Sequence, residues 1–187
     1  MKLKTIGKTG VIPVLALLLL VGCVPTDEVI TEEVAATETT ATQAVEIQTW
    51  QPWADVPLND DVQEYLHMMC EDNNLAYSFI IALIETESNF NSDSVSGTND
   101  YGLLQINACN HKEGFDYLDP YDNITMGIEI LSDLAEKYGD VESVLMAYNL
   151  GEAGAKKLWN QGIYSTGYTE KVLAKKIEYE KKHGGDL

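Results

Sequence analysis

The chain has 187 residues with 30 Asp or Glu, 12 Lys and no Arg, for a formal charge of −18. That balance excludes nucleic acid as a partner, because binding it needs a basic surface, and excludes electrostatic docking on anionic lipid. Nor does charge draw the chain to any other anionic polymer, so affinity for one has to reside in a cleft.

Lys2, Lys4 and Lys8 precede an apolar run from Val11 to Val21. The run is too short to cross a bilayer comfortably and has the form of a signal-peptide core, so residues 1–22 are expected to be a removed leader. It closes in Leu20-Val21-Gly22-Cys23, which resembles a bacterial lipoprotein box. The resemblance implies cleavage before Cys23 and acylation of that cysteine, with more than one acyl chain giving stable anchoring. The alternatives are an ordinary secretory leader with an incidental Cys, or a plain membrane anchor. Losing the leader's three lysines takes the charge from −18 to −21. Residues 24–49 hold six acidic residues, no Lys, no aromatic and no helical stripe. Together with Cys23 they read as a disordered acidic tether, roughly 30 Å end to end as a flexible coil.

Residues 50–187 suit one compact domain. Trp50 and Trp53 either stack on sugar or, the preferred reading, close over an edge of the core. Asn59 or Asp60 caps a helix running to about Glu71, with Val62, Tyr65, Leu66 and Met69 inward. Asp72-Asn73-Asn74 is a turn. Leu75 to Ser88 is the next helix, and Ile80, Leu83, Ile84 and Glu87 fall at i, i+3, i+4 and i+7 on its inner stripe. Glu85 is about 200° around the axis and points elsewhere. A carboxyl on an apolar stripe, at a helix C-terminus, has its pKa pushed upward twice over. A carboxyl kept protonated near neutral pH is what general-acid cleavage of a glycosidic bond requires. The plainer reading is that Glu87 ends the stripe as an inert, hydrogen-bonded group.

Residues 91–101 are a polar loop of the kind that lines a cleft, with Ser96 in it. Gly102 lets the backbone pass closely near substrate, and the stretch around Ser96–Ile106 has room for a short hairpin. Asp119-Pro120-Tyr121-Asp122-Asn123 starts a helix with Ile124, Ile128, Leu131 and Leu134 inward, and Gly127 in it marks close packing. Val141–Asn149 is a short helix closed near Gly151. Glu152–Asn160 is a helix carrying Trp159. Tyr168 opens a last helix, Thr169–Lys182, with a Lys-rich solvated face. Cys70 and Cys109 on an exported domain form a disulfide or remain two buried thiols. His67, His111 and His183 are scattered. Cys70, Cys109 and His111 lack the paired spacing of a zinc site, so no metal and no cofactor is expected.

Four ordered motifs carry a further inference. Glu87-Ser88-Asn89-Phe90-Asn91, then Ser96, then Gly102-Leu103-Leu104-Gln105-Ile106-Asn107, and later Ala147-Tyr148-Asn149-Leu150-Gly151 with Tyr168, resemble the signature of SLT-type lytic transglycosylases, over roughly Asp60 to Lys182. The resemblance implies a mainly α, lysozyme-like α+β domain with a small or vestigial hairpin. It implies cleavage of peptidoglycan between N-acetylmuramic acid and N-acetylglucosamine, with Glu87 as acid and base and a 1,6-anhydro product. It assigns Ser88, Ser96, Gln105, Asn107, Tyr148, Asn149 and Tyr168 to substrate binding, with Tyr164 in place of Tyr168 if the match is shifted. The expected enzyme is a monomer outside the bacterial membrane, anchored by lipid at Cys23. One stretch departs from that family: Asp100-Tyr101-Gly102-Leu103-Leu104-Gln105-Ile106-Asn107 resembles the animal and egg-white type lysozymes, in which the Asp is a second carboxylate. Asp100 is thus either a solvated turn residue or the partner of Glu87 in a hydrolytic muramidase. A glycan-binding or assembly lipoprotein without catalysis is the reading of another class.

Overall fold

The structure, a computed structural model, describes residues 50–184. The leader, Cys23 and the tether expected from the sequence lie outside the described residues. Asn59 begins the first helix, α1 (Asp60–Asp72), by accepting the Val62 amide on its side-chain oxygen at 2.8 Å. The expected stripe is wider than the apolar residues suggest, because Gln63 is buried beside Val62 and Leu66. Gln63 accepts from the Trp53 amide (2.8 Å) and the Tyr77 hydroxyl (3.0 Å) and donates to the carbonyl of Leu58 (3.0 Å). One polar side chain thereby ties the entry segment to two helices. Trp50 stacks on His67 and Trp53 on His183, with ring centroids 4.2 and 4.0 Å apart. Both tryptophans close the core edge.

The second helix, α2 (Tyr77–Glu87), is buried through eight consecutive residues, Tyr77 to Ile84. It is enclosed rather than amphipathic, since α1 and α5 pack against it. Ile80, Ile81, Leu83 and Ile84 are fully buried, each worth roughly 1.5–3 kcal/mol. Only the last turn emerges. Its two carboxylates meet different parts of α5 (Gly167–His183): Glu85 meets Lys175 and the Tyr179 hydroxyl, and Glu87 meets Tyr168 in the first turn.

The chain then reverses with Asn89 and Phe90 both at positive φ and forms a minimal antiparallel hairpin, β1 (Asp100–Tyr101) on β2 (Ile106–Asn107), with Asp100 opposite Asn107. A short 3-10 turn, Ala108–Asn110, follows. α3 (Pro120–Tyr138) is capped by Asp119, which accepts two amides, and ends at left-handed Gly139. α4 (Val141–Trp159) is broken at Gly151, φ 67° and ψ 157°, which splits it into the two expected helices. Thr166 and Thr169 form a reciprocal cap that starts α5, so Tyr168 sits inside the first turn. The architecture is mainly α with a vestigial hairpin.

Candidate active site

The loop between β1 and β2 is held by α3 and α4 rather than by its own two-residue strands. Asn123 of α3 is fully buried. It accepts the Leu104 amide at 2.8 Å and donates to the carbonyls of Tyr101 (2.8 Å) and Tyr117 (2.9 Å). Tyr148 of α4 donates its hydroxyl to the Leu104 carbonyl at 2.6 Å. Gly127 of α3 leaves room for Leu104, whose Cδ1 would lie 2.2 Å from any Cβ there. The close packing read from Gly127 is therefore helix to loop. Gly102, at φ +74°, is pressed against Asn123 and the Tyr117 carbonyl. Its smallness serves that contact.

So fixed, the loop forms part of the wall of a cleft of about 610 Å³. Glu87, Ser96, Asp100, Gln105, Asn107, Tyr148 and Asn149 line it, as do Ile130 and Leu134 of α3, and Cys109 and Glu152. Glu87 is half-buried where α2 ends. Burial pushes its carboxyl above the ordinary value, and the negative charge of Asp100 adds to that, against the hydrogen bond from Tyr168 and the charge of Lys171. The Tyr168 hydroxyl donates to Glu87 Oε1. Burial and the Glu87 charge drive the Tyr168 hydroxyl far above its ordinary range, so it stays a donor. Tyr148 is raised for the same two reasons. Tyr164 is 63% exposed, and the tyrosine on the acid is Tyr168.

Asp100 behaves oppositely. Burial alone would raise it, but the hydroxyls of Ser96 and Thr98 and the amide of Asn107 together bring it below the ordinary carboxylate value. Ser96 Oγ donates to Oδ2 at 2.6 Å and Asn107 Nδ2 to Oδ1 at 2.6 Å. Two carboxyls on one wall are thus pushed apart, one toward the acid form and one toward the anion. Gln105, itself at positive φ, spends its amide donors on the carbonyls of Gly102 (2.9 Å) and Ser94 (3.2 Å). Ser88 donates to the Ile84 carbonyl at 3.2 Å and ends α2; it is not part of the wall.

The two cysteines considered for a disulfide differ in exposure. Cys70 is buried in the α1 face of the core and Cys109 is exposed at the cleft. Among the described residues, no three His, Cys, Asp or Glu side chains gather where they could hold a metal ion. Asn123 and Glu152 were not singled out from the sequence, since their roles depend on which helices meet.

Residues 64–170 match the family model described as the transglycosylase SLT domain. The chain belongs to this family. The SLT domain here is 31% identical over 102 residues to a transglycosylase of Enterobacteria phage PRD1, a match covering 54% of this chain and 37% of the phage protein. It superposes on the 70 kDa soluble lytic transglycosylase of Escherichia coli with a TM-score of 0.59, at 22% identity, over 70% of this chain and 25% of that one. A 70 kDa soluble lytic transglycosylase in complex with bulgecin A gives 0.61 at 21% identity, over the same shares. An inactive Glu-to-Gln mutant of lytic transglycosylase Slt from Pseudomonas aeruginosa gives 0.56 at 22%, over 64% and 24%. The chain spans about a third of the phage relative and a quarter of each structural neighbour. The fold is that of these lysozyme-like domains: five helices and a two-stranded sheet among the described residues.

Proposed function

We propose that the domain is a peptidoglycan lytic transglycosylase that cuts between N-acetylmuramic acid and N-acetylglucosamine, with Glu87 as the acid and then the base. Glu87 protonates the departing glycosidic oxygen. The substrate's own 2-acetamido oxygen stabilises the oxocarbenium-like centre. The Glu87 carboxylate then takes the proton of the muramoyl 6-hydroxyl, which closes a 1,6-anhydro ring. The observation that carries this reading is a single one: a cleft-lining carboxyl, raised above its usual pKa, accepting a hydrogen bond from Tyr168. Membership in the SLT family supports the reaction class, and an inactive Glu-to-Gln neighbour supports the residue type. Gln105, Asn107, Ser96, Tyr148 and Asn149 are proposed to touch the sugars from the wall, and Tyr168 to orient the acid. Ser88, at the end of α2, is left a part in holding that turn.

Asp100 favours a second reading, hydrolysis with a second carboxylate, because it lines the same cleft and is ionised. Its oxygens are already engaged by Ser96, Thr98 and Asn107, which suits a fixed charge beside Glu87 better than a nucleophile. The test is Glu87→Gln on purified sacculi. The expected loss is about 10²-fold or more, the size of a general-acid contribution; undiminished lysis would rule the mechanism out. Loss of activity in both Asp100→Asn and Asp100→Ala, with the fold intact and reducing-end products, would favour the hydrolase. We further propose, from the sequence alone, that residues 1–22 are a leader, that Cys23 is lipidated, and that residues 24–49 tether a monomeric domain outside the membrane.

A further inference from the structure

We infer that Lys137 and Lys156, both paired with the cleft-lining Glu152, form an anion subsite beside the cleft that takes a carboxylate of the peptide carried by muramoyl residues. The inference rests on the peptidoglycan reading above and adds to it the part of the substrate that is not sugar.

Glu152 lines the cleft where α3 and α4 meet, beside Gly151, Ile130 and Leu134. Its Oε2 alone accepts from three donors: the Tyr138 hydroxyl at 2.6 Å, Lys156 at 3.3 Å and Lys137. Two ammonium groups therefore share one carboxylate. Lys112, Lys175, Lys176 and Lys182 instead each meet a different carboxylate. The hydrogen bonds from Lys137 and Tyr138 take Glu152 down to about 2, so it is ionised throughout the neutral range and the cluster carries +1. Lys137 lies in the last turn of α3, where the helix C-terminus also favours a cation. The two lysine side chains are 50% and 56% exposed. Each ammonium has three N–H donors, and Glu152 occupies only part of them.

The rest of the cleft makes this position matter. Glu87 and Asp100 also line it, in a chain of net charge −18. A peptide carboxylate entering that field is repelled unless a cation receives it. An ammonium gains nothing from a cluster of net positive sign, and a neutral hydroxyl gains less than a carboxylate.

The experiment uses the full chain and two substrates: glycan strands bearing peptides, and the same strands with the peptides removed by an amidase. The wild type is expected to favour the peptide-bearing strands in kcat/KM. Lys137→Gln/Lys156→Gln is expected to reduce that preference about five- to tenfold, mainly through KM. Added salt is expected to erode the wild-type preference and leave the double variant's nearly flat. A preference equal in both proteins, or absent from the wild type, would overturn the subsite. Calorimetric titration with the free stem peptide needs no cleavage: weaker binding by the double variant supports the subsite, and equal binding overturns it. If the wild type cut neither strand, the proposed reaction would fall, and the titration would still decide the subsite by itself.

Discussion

Glu87 binds its proton more tightly in the folded chain than its ordinary value of 4.5, because burial opposes the charge. Between that unfolded value and the raised folded one, the native state holds more protons than the unfolded state, so stability falls as pH rises through the window. Glu87→Gln removes the burden. Its melting temperature should exceed the wild type's at pH 7, and the two should converge as pH falls below 4.5. Equal melting temperatures at pH 7 would mean that Glu87 is not held against its preference. The same sign applies to catalysis: activity should fall on the alkaline side as Glu87 ionises. The Tyr168 hydroxyl lowers the Glu87 pKa, so Tyr168→Phe should move the alkaline limb of the kcat/KM profile to higher pH. A limb displaced downward would contradict the contact. Glu87 was legible in the sequence because helical spacing alone set it beside Ile80 and Ile84. Its partner was not legible from spacing, because Tyr168 lies 81 residues away; only the motif resemblance pointed there. The hubs Gln63 and Asn123 were invisible for a related reason. A buried amide satisfied by backbone groups leaves no periodic trace.

Among the elements, the hairpin depends most on its neighbours. Its strands have two residues each, far too few to hold alone. Asn123→Ala would strand the Leu104 amide and two carbonyls, costing about 2–4 kcal/mol and loosening the loop that carries Gln105. Thermal or denaturant unfolding measures the first effect and KM the second. A variant within about 0.5 kcal/mol of the wild type would refute the pinning role. Gly127→Ala should cost about 1–3 kcal/mol by overpacking against Leu104. Because the two sites share one space, Gly127→Ala with Leu104→Ala should cost less than the sum of the single changes; strict additivity would count against the contact. Helix positions followed from caps and breakers such as Asn59, Asp119 and Gly151. The expectation of one inward stripe on α2 was too narrow, since a helix covered on every side shows no periodicity of burial.

For the whole molecule, charge and the proposed tether would together set where the chemistry is applied. A domain of this acidity is not steered to an anionic polymer from afar, so a lipid at Cys23 would supply proximity instead. Cys23→Ser should move the protein from the membrane fraction to the soluble one without changing the activity of the isolated protein on sacculi; unchanged membrane association would refute the anchor. The ordered motifs showed the family because they span most of the domain. The Lys137–Glu152–Lys156 cluster was not foreseen, because it exists only where two helices converge. The proposed reaction depends on Glu87 delivering one proton and then taking up another without a water molecule entering the bond. Mass analysis of the products released from purified peptidoglycan tests that most directly. The account predicts muramoyl ends one water lighter than reducing ends, and none from Glu87→Gln; reducing ends from the wild type, or the anhydro product from the Gln variant, would contradict it.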